Sequence, residues 1–229
     1  MAVTRRPTRE ADSEGTSSVN TTRVLLASGV ALGPLFYILA VGQILTRPGF
    51  DIRRHIISML SLGDQGWIQI VNFEITGLLA MTCAIGVRRL LGGSRGGTWG
   101  PLLIGAYGVG MITAGIFQTD PALGFPPGAP AGTPATMSLH ATIHTIAFFV
   151  AFLSLVAASF VFSRRFFSLG RRGWGIYCAA TGVTAPLLIV LGSFINEWVG
   201  VIIAGAGAVA FGWVSVIAAR LWAEVEAAA

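Results

Sequence analysis

The chain has 229 residues, of which 54% are hydrophobic and only 11% are charged, and its mean hydropathy is +0.74. A soluble domain carries about 25% charged residues, so this composition excludes an ordinary soluble protein and predicts an integral membrane protein. The 15 basic residues are all arginines, clustered at the ends of apolar runs without a stripe of interleaved aromatics. We therefore attribute the high pI to membrane topology and expect no nucleic-acid partner.

The first segment, residues 1–22, is polar, rich in Ser and Thr and mixed in charge. It has too little apolar surface to form a core, so we predict a disordered cytoplasmic tail. The apolar run that follows is about twice as long as a signal-peptide core, and no small-residue cleavage site comes after it. We expect this run to remain in the protein as a membrane anchor.

Six apolar runs approach the ~20 residues that cross the hydrocarbon core of a bilayer. They lack the alternation of barrel strands, so all six are predicted to be helices. The fold class is an all-α, polytopic bundle of six transmembrane helices, with a membrane domain over residues 23–222 and a short cytoplasmic tail over 223–229. The predicted spans are residues 24–45, 66–87, 100–117, 140–162, 174–195 and 199–221.

The distribution of arginine predicts the orientation. Twelve arginines fall on the side of the two termini, and only Arg47, Arg53 and Arg54 fall on the other side. Because arginine concentrates on the cytoplasmic side, both termini are predicted to be cytoplasmic, in a multi-pass protein of the inner (plasma) membrane. Tryptophans at the span ends are typical of an aromatic belt; they are Trp67, Trp99, Trp174, Trp198 and Trp222.

Small residues and prolines predict how the helices pack. Ala106, Gly110 and Ala114 repeat every four residues on the third span, and a similar ridge on the last span begins at Gly200. Such ridges let helices approach closely. Two further spans contain an internal proline, Pro34 and Pro186, each of which removes a helical hydrogen bond. The phenylalanines at positions 148, 149 and 152 are interpreted as a lipid-facing or packing surface.

Two loops are predicted on the outer side, over residues 46–65 and 118–139. The first is the densest polar stretch of the chain, and its residues 51–62 are expected to form a short interfacial helix that Asp51 caps and Gly63 ends. The second loop is rich in Pro and Gly and is expected to be an extended lid. The polar residues expected to converge near these loops are Arg53, Arg54, His55, Ser58, Glu74, Asp120, His140, His144 and Glu197.

The motifs FDIRRHIISMLSLGDQGWIQIVNF, FQTDP and SLHATIH carry a resemblance to a known family. With them, residues 24–220 resemble the bacterial integral membrane family catalogued as domain of unknown function 998. The resemblance implies six membrane spans and an actinobacterial type of membrane protein. It implies no activity.

The pair His140 and His144 has a spacing that can place two imidazoles on one metal ion. Asp120 is the third metal ligand we predict, with His55 or Glu197 as alternatives, and zinc is the cofactor that this set would suit. A zinc-bound water could then hydrolyse a lipid-like ester or amide, with Ser58 or Glu74 assisting. This arrangement distantly resembles the intramembrane hydrolases related to alkaline ceramidases, although span number and motif order differ.

Other interpretations of the same residues stay open. Arg53 and Arg54 could bind a lipid phosphate. Alternatively, they could reach the headgroups, or pair with Asp51, Asp64 or Asp120. Glu74 could be the acid of a proton-coupled transporter, or it could pair with an arginine of the first outer loop. His55 and Ser58 could act as base and nucleophile.

The leading functional hypothesis is an outward-facing pocket that binds an anionic amphiphile, with membrane lipid as the partner. The sequence leaves protein partners unknown and enzyme activity open, with the metal-dependent hydrolase and the transporter as alternatives. The residues predicted to bind the ligand are Arg53, Arg54, His55, Ser58, Asp120, His140 and His144. The candidates for a catalytic role are His55, Ser58, Glu74 and Asp120.

Overall fold

A computed structural model describes residues 9–227, and in this part of the chain the regular structure is helical. Six helices are long and apolar enough to cross a membrane, so the predicted all-α bundle of six spans is confirmed. Each predicted span overlaps one of them. The helices are α1 Arg9–Thr46, α2 Gly66–Leu91, α3 Trp99–Ile116, α4 Leu139–Ser168, α5 Arg172–Phe194 and α6 Val199–Ala227.

The polar N-terminal segment is partly helical. Helix α1 begins at Arg9, inside the segment predicted to be a disordered tail, and its apolar part starts at Val19. Extending an existing helix needs no new nucleus, so the spanning helix can continue into a polar tail. Residues 1–8 and 228–229 lie outside the described residues.

The six helices form a closed ring in chain order, in which each helix packs on the next and α6 returns to α1. Small residues permit the close approaches. A Cβ atom on Gly77 of α2 would lie 2.6 Å from the carbonyl oxygen of Gly108 on α3. One on Gly110 would lie 2.8 Å from Cβ of Ala151 on α4, so the small residue at position 110 does face a neighbouring helix, as predicted.

The two ends of the ring differ. We call the end formed by residues 47–65, 117–138 and 195–198 the loop end. The opposite end, formed by 92–98 and 169–171 with the adjoining helix ends, is the Arg-rich end; its helix ends add Arg88, Arg89, Arg164, Arg165, Arg172 and Arg220. The half next to the Arg-rich end is filled by large buried side chains. Trp213 packs edge to face on Phe162 and donates its indole N–H to the sulfur of Cys178 at 3.4 Å. This half of the bundle is a solid core.

The first of the two loops predicted to be on the outer side is a turn followed by a 3₁₀ helix over Ile57–Ser61, not the predicted helix over 51–62. Hydrogen bonds within the turn explain the difference. The carboxylate of Asp51 accepts the backbone N–H of Arg53 at 3.0 Å, and its carbonyl accepts the N–H of His55 at 2.8 Å. These bonds close a single turn that cannot propagate as a helix. Gly63, which was predicted to end the helix, follows the 3₁₀ helix and has a positive φ of 71°, a conformation that glycine adopts readily.

These two loops pack on each other through Phe125, which is fully buried. Its ring centroid lies 5.2 Å from that of Phe50 and 5.4 Å from that of His55, and the guanidinium carbon of Arg47 lies 5.4 Å from it. Arg47 also donates to the carbonyl of Leu60 at 3.0 Å. We call residues 47–63 and 118–130 the loop cap, since together they cover the loop end.

Replacing Phe125 with Ala should weaken the loop cap. A buried Phe→Ala change costs about 3–5 kcal/mol, because it removes packing and leaves a cavity. The matched control is Phe167→Ala, whose side chain is 45% exposed. Thermal unfolding in detergent should show a clearly lower midpoint for Phe125→Ala than for Phe167→Ala. Equal midpoints would contradict the role assigned to Phe125.

Candidate functional site

The half of the bundle next to the loop end encloses a cavity of about 400 Å³. All six helices contribute side chains to its wall, and the 3₁₀ helix of the loop cap covers it. The volume falls within the range of about 300–1,000 Å³ that is usual for ligand sites. Its aromatic lining residues are Phe36, Tyr37, Phe73, Tyr107, Phe148, Phe149, Phe152 and Phe211.

The wall of the cavity is mainly apolar, and none of the described residues that line it is an arginine, aspartate or glutamate. The hydroxyl of Tyr37 donates to the carbonyl of Ala204 at 2.7 Å, so it is already satisfied. The remaining polar lining residues include several that lie toward the loop end, where they could meet the polar part of a ligand. These are Ser58, Thr119, His144, Thr145 and Ser193.

The exposed residues of the cavity wall lie on α4 and α5. These two helices contact each other near the Arg-rich end, where Ser163 donates to the carbonyl of Gly175 at 2.9 Å and Gly182 packs on Phe160. Toward the loop end, Phe149 of α4 and Ser193 of α5 line the cavity and are also exposed on the outer surface. A ligand could therefore enter from the surrounding lipid.

His144 is a buried histidine in the cavity wall. Its Nδ1 lies 3.0 Å from the carbonyl oxygen of Ala114 and 2.8 Å from that of Phe117. Carbonyl oxygens only accept hydrogen bonds, so Nδ1 carries a proton and closes the C-terminal turn of α3. In the neutral imidazole, Nε2 is then an acceptor, and no described residue donates to it.

His55 has a different role, because both of its ring nitrogens are used inside the loop cap. Nδ1 accepts the backbone N–H of Asp51 at 2.9 Å, which leaves the proton on Nε2. Nε2 in turn donates to the carbonyl of Leu123 at 3.1 Å. The predicted partner Ser58 lies in the cavity wall instead. The geometry thus makes His55 a link between the two loops.

Asp120 and His140 lie near the start of α4. The carboxylate of Asp120 accepts the backbone N–H of Ser138 at 2.8 Å, and the hydroxyl of Ser138 caps α4 by accepting the N–H of Ala141. Hydrogen bonding from Ser138 lowers the pKa of the Asp120 carboxyl below its ordinary value of 3.8. His140 is exposed, and its ring packs edge to face on Phe117.

The two arginines of the first outer loop differ. The guanidinium of Arg53 binds both carboxylate oxygens of Asp51, with contacts of 2.7 to 3.2 Å. This pairing, led by the side-chain hydrogen bond, lowers the pKa of Asp51 to about 2. Arg54 is exposed, and its guanidinium has no partner among the described residues. Arg54 is thus the arginine that is free to meet an external anion.

Two acidic candidates lie away from the cavity wall. Glu74 is half-buried on α2, and a Cβ atom on Gly115 of α3 would lie 2.6 Å from its Oε1. The pairing of Glu74 with a loop arginine, one of its two sequence interpretations, is not found in the described part of the chain. Glu197 is exposed in the turn before α6.

The predicted residues thus gather at the loop end in different places. Ser58 and His144 line the cavity, His55 and Asp120 hold the outer segments, and Arg53, Arg54 and His140 are exposed. Among residues 9–227, no three His, Cys, Asp or Glu side chains are grouped closely enough to hold a metal ion. The zinc site remains a prediction that rests on the spacing of His140 and His144.

Sequence reasoning did not identify the aromatic lining of the cavity. Phe148 and Phe152 were assigned to a lipid-facing or packing surface, yet both line the cavity, with their rings stacked at 5.8 Å. A signal was present, because His144, Phe148 and Phe152 recur every four residues and so share one face of α4. Arg47 and Phe125, which hold the loop cap, were also absent from the predicted site.

A family model described as a protein of unknown function, DUF998, matches residues 30–223. The chain belongs to the DUF998 family. The match includes the six apolar spans almost entirely and both loops of the loop cap, so the cavity of this DUF998 protein lies inside the family region. No curated protein and no solved structure matches the chain.

The hydrogen bond of Asp120 gives this DUF998 protein a pH-dependent contact. Because the pKa of Asp120 is lowered, the ionised carboxylate stabilises the loop fully above pH 3.8, and this contribution is lost as the pH falls through the lower folded-state value. In hydrogen exchange, the Ser138 amide should be protected at neutral pH and lose protection in that acidic range. Asp120→Asn should weaken the protection at neutral pH.

The control is the Thr142 amide, which donates to the carbonyl of Ser138 and does not contact Asp120. Its protection at neutral pH should be unchanged in Asp120→Asn. If the Ser138 amide were equally protected in both proteins, the assigned contact would be wrong.

Proposed function

We propose that this protein binds a lipid-like amphiphile, with the apolar chain in the cavity and the polar head at the loop end. The observation that carries the proposal is the cavity itself: it is mainly apolar, it is bordered by all six helices, and two of its lining residues, Phe149 on α4 and Ser193 on α5, are exposed. Its polar lining residues near the loop cap favour one orientation of the ligand. At about 400 Å³, it is of a size to take a single hydrocarbon chain rather than a two-chain lipid.

The lipid surroundings set the energetics of such a site. A chain that leaves the bilayer for the cavity gains little hydrophobic free energy, since lipid tails are as apolar as the cavity wall. Affinity must then come from close packing against the aromatic rings and from polar contacts to the head. The polar groups near the loop cap therefore decide which amphiphile is bound.

An anionic head is favoured by Arg54. Arg54 is two positions before Ile56, which lines the cavity, so their Cα atoms are at most about 7 Å apart. A guanidinium without a partner can bind a phosphate through two parallel hydrogen bonds. The guanidinium of Arg53 already binds the carboxylate of Asp51, so Arg53 would attract an anionic head by its charge and not through two free N–H groups.

A larger side chain in the cavity wall should prevent the ligand from binding. Thr145 lines the cavity, and its hydroxyl bonds only within its own helix, to the carbonyl of Ala141. Thr145→Trp should block the site, whereas Ile146→Trp, at a position that is 58% exposed, should not. Protein purified in mild detergent should retain about one amphiphile in the wild type and in Ile146→Trp, and much less in Thr145→Trp, as measured by mass spectrometry of extracted lipids.

Equal lipid content in the two tryptophan variants would contradict the proposal that the cavity binds an amphiphile. The anionic head is tested separately: Arg54→Gln should reduce the retained anionic lipid more than Arg53→Gln does. The hydrolase alternative depends on a metal, so metal analysis of the wild type and of His140→Ala addresses it independently.

A further inference from the structure

We infer that the bound amphiphile carries a free hydroxyl group next to its apolar chain, and that Nε2 of His144 accepts a hydrogen bond from that hydroxyl. This inference rests on the proposed function and names the ligand class more closely. With an anionic head for Arg54, the class is a single-chain lipid with a hydroxyl-bearing linker, of the lysophospholipid type.

The position of the proton on the His144 ring determines which of its nitrogens can accept a hydrogen bond from the ligand. Two carbonyl oxygens, those of Ala114 and Phe117, lie within 3.0 Å of Nδ1, so the Nδ1 proton is fixed there. Nε2 of the neutral ring presents a lone pair, and the ring lines the cavity. A lone pair in an apolar wall selects a hydrogen-bond donor and disfavours a second acceptor such as an ester oxygen.

The surroundings of His144 limit what that donor can be. The polar residues that share the loop-end part of the cavity wall are hydroxyl groups, which suit a neutral ligand group. Thr145 is engaged with the carbonyl of Ala141, whereas the hydroxyl of Ser58 has no partner among the described residues and could accept or donate. None of the described residues that line the cavity has a carboxylate that could bind an ammonium group. A hydroxyl is the donor that fits this environment without bringing a charge into it.

The position of His144 along the cavity also fits a hydroxyl group that lies between the chain and the head of the ligand. His144 bonds to the last turn of α3, so it lies just below the loop cap, while the aromatic rings of Tyr107 and Phe211 lie deeper in the cavity. Tyr107 is about 10 Å from Ala114 along α3, at 1.5 Å per residue. The chain of the ligand would fill this deeper aromatic part, and its linker would reach His144. Its head would then continue toward Arg54.

The test compares two ligands with the same chain and phosphate: a 1-acyl-glycerol 3-phosphate, and its 2-deoxy analogue, which lacks the free hydroxyl. Binding is measured on the full chain in detergent, in mildly alkaline buffer, by isothermal titration. The wild type should bind the hydroxylated lipid about 5-fold more tightly, the value of one neutral hydrogen bond. Equal affinity for the two lipids would overturn the inference and leave the proposed function intact.

The matched variant is His144→Asn. Asparagine places its side-chain N–H where Nδ1 stands, so it can keep the bond to the α3 carbonyls, but it has no group at the position of Nε2. This variant should bind both lipids with the affinity that the wild type has for the 2-deoxy lipid. A preference for the hydroxylated lipid that survives in His144→Asn would contradict the assignment to Nε2.

The same titrations test separately the proposed amphiphile binding and the hydrogen bond between the ligand hydroxyl and His144. Thr145→Trp should bind neither lipid, and Arg54→Gln should weaken both without changing their ratio. If the wild type bound neither lipid, the proposed function would fail with the inference. Because the ligand comparison uses the wild type, it stays decisive even if His144→Asn does not fold.

Discussion

The burial of Phe125 between Arg47, Phe50 and His55 joins two loops that are about 70 residues apart in the chain. A membrane provides little hydrophobic force to press helices together, so packing and hydrogen bonds have to hold a bundle in shape. At the loop end those interactions lie largely in the loop cap. The hollow half of the bundle depends on this cap, which covers the cavity while the helix ends stay apart.

The loop cap also contacts α6 directly. The N–H of Gly200 donates to the carbonyl of Arg53 at 3.2 Å, and a Cβ atom at that position would overlap the carbonyl oxygens of Ile52 and His55. The predicted small-residue ridge on α6 thus begins with a glycine that lets a loop, rather than another helix, come close. Through this contact the cap positions α6 as well as the cavity that α6 helps to line.

Local patterns predicted the spans because apolar length alone marks a transmembrane helix, and each predicted span overlaps an observed one. They failed over residues 51–62, because Asp51 and His55 satisfy backbone groups that a helix would have used. They named His144 and Ser58, which line the cavity, but not the phenylalanines beside them. A ring such as that of Phe125 has no distinctive local signature, so its role emerges only from contacts between distant segments. The orientation, with both termini cytoplasmic, stays a prediction from the arginine count.

The central claim is that the hollow half of the bundle holds one amphiphile. An experimental structure of the protein in lipid nanodiscs tests it most directly. We expect one elongated density that runs from the rings of Tyr107 and Phe211 to Nε2 of His144 and continues toward Arg54. A cavity collapsed by packing of Phe148 and Phe152 onto Phe211, with no density between the helices, would contradict it.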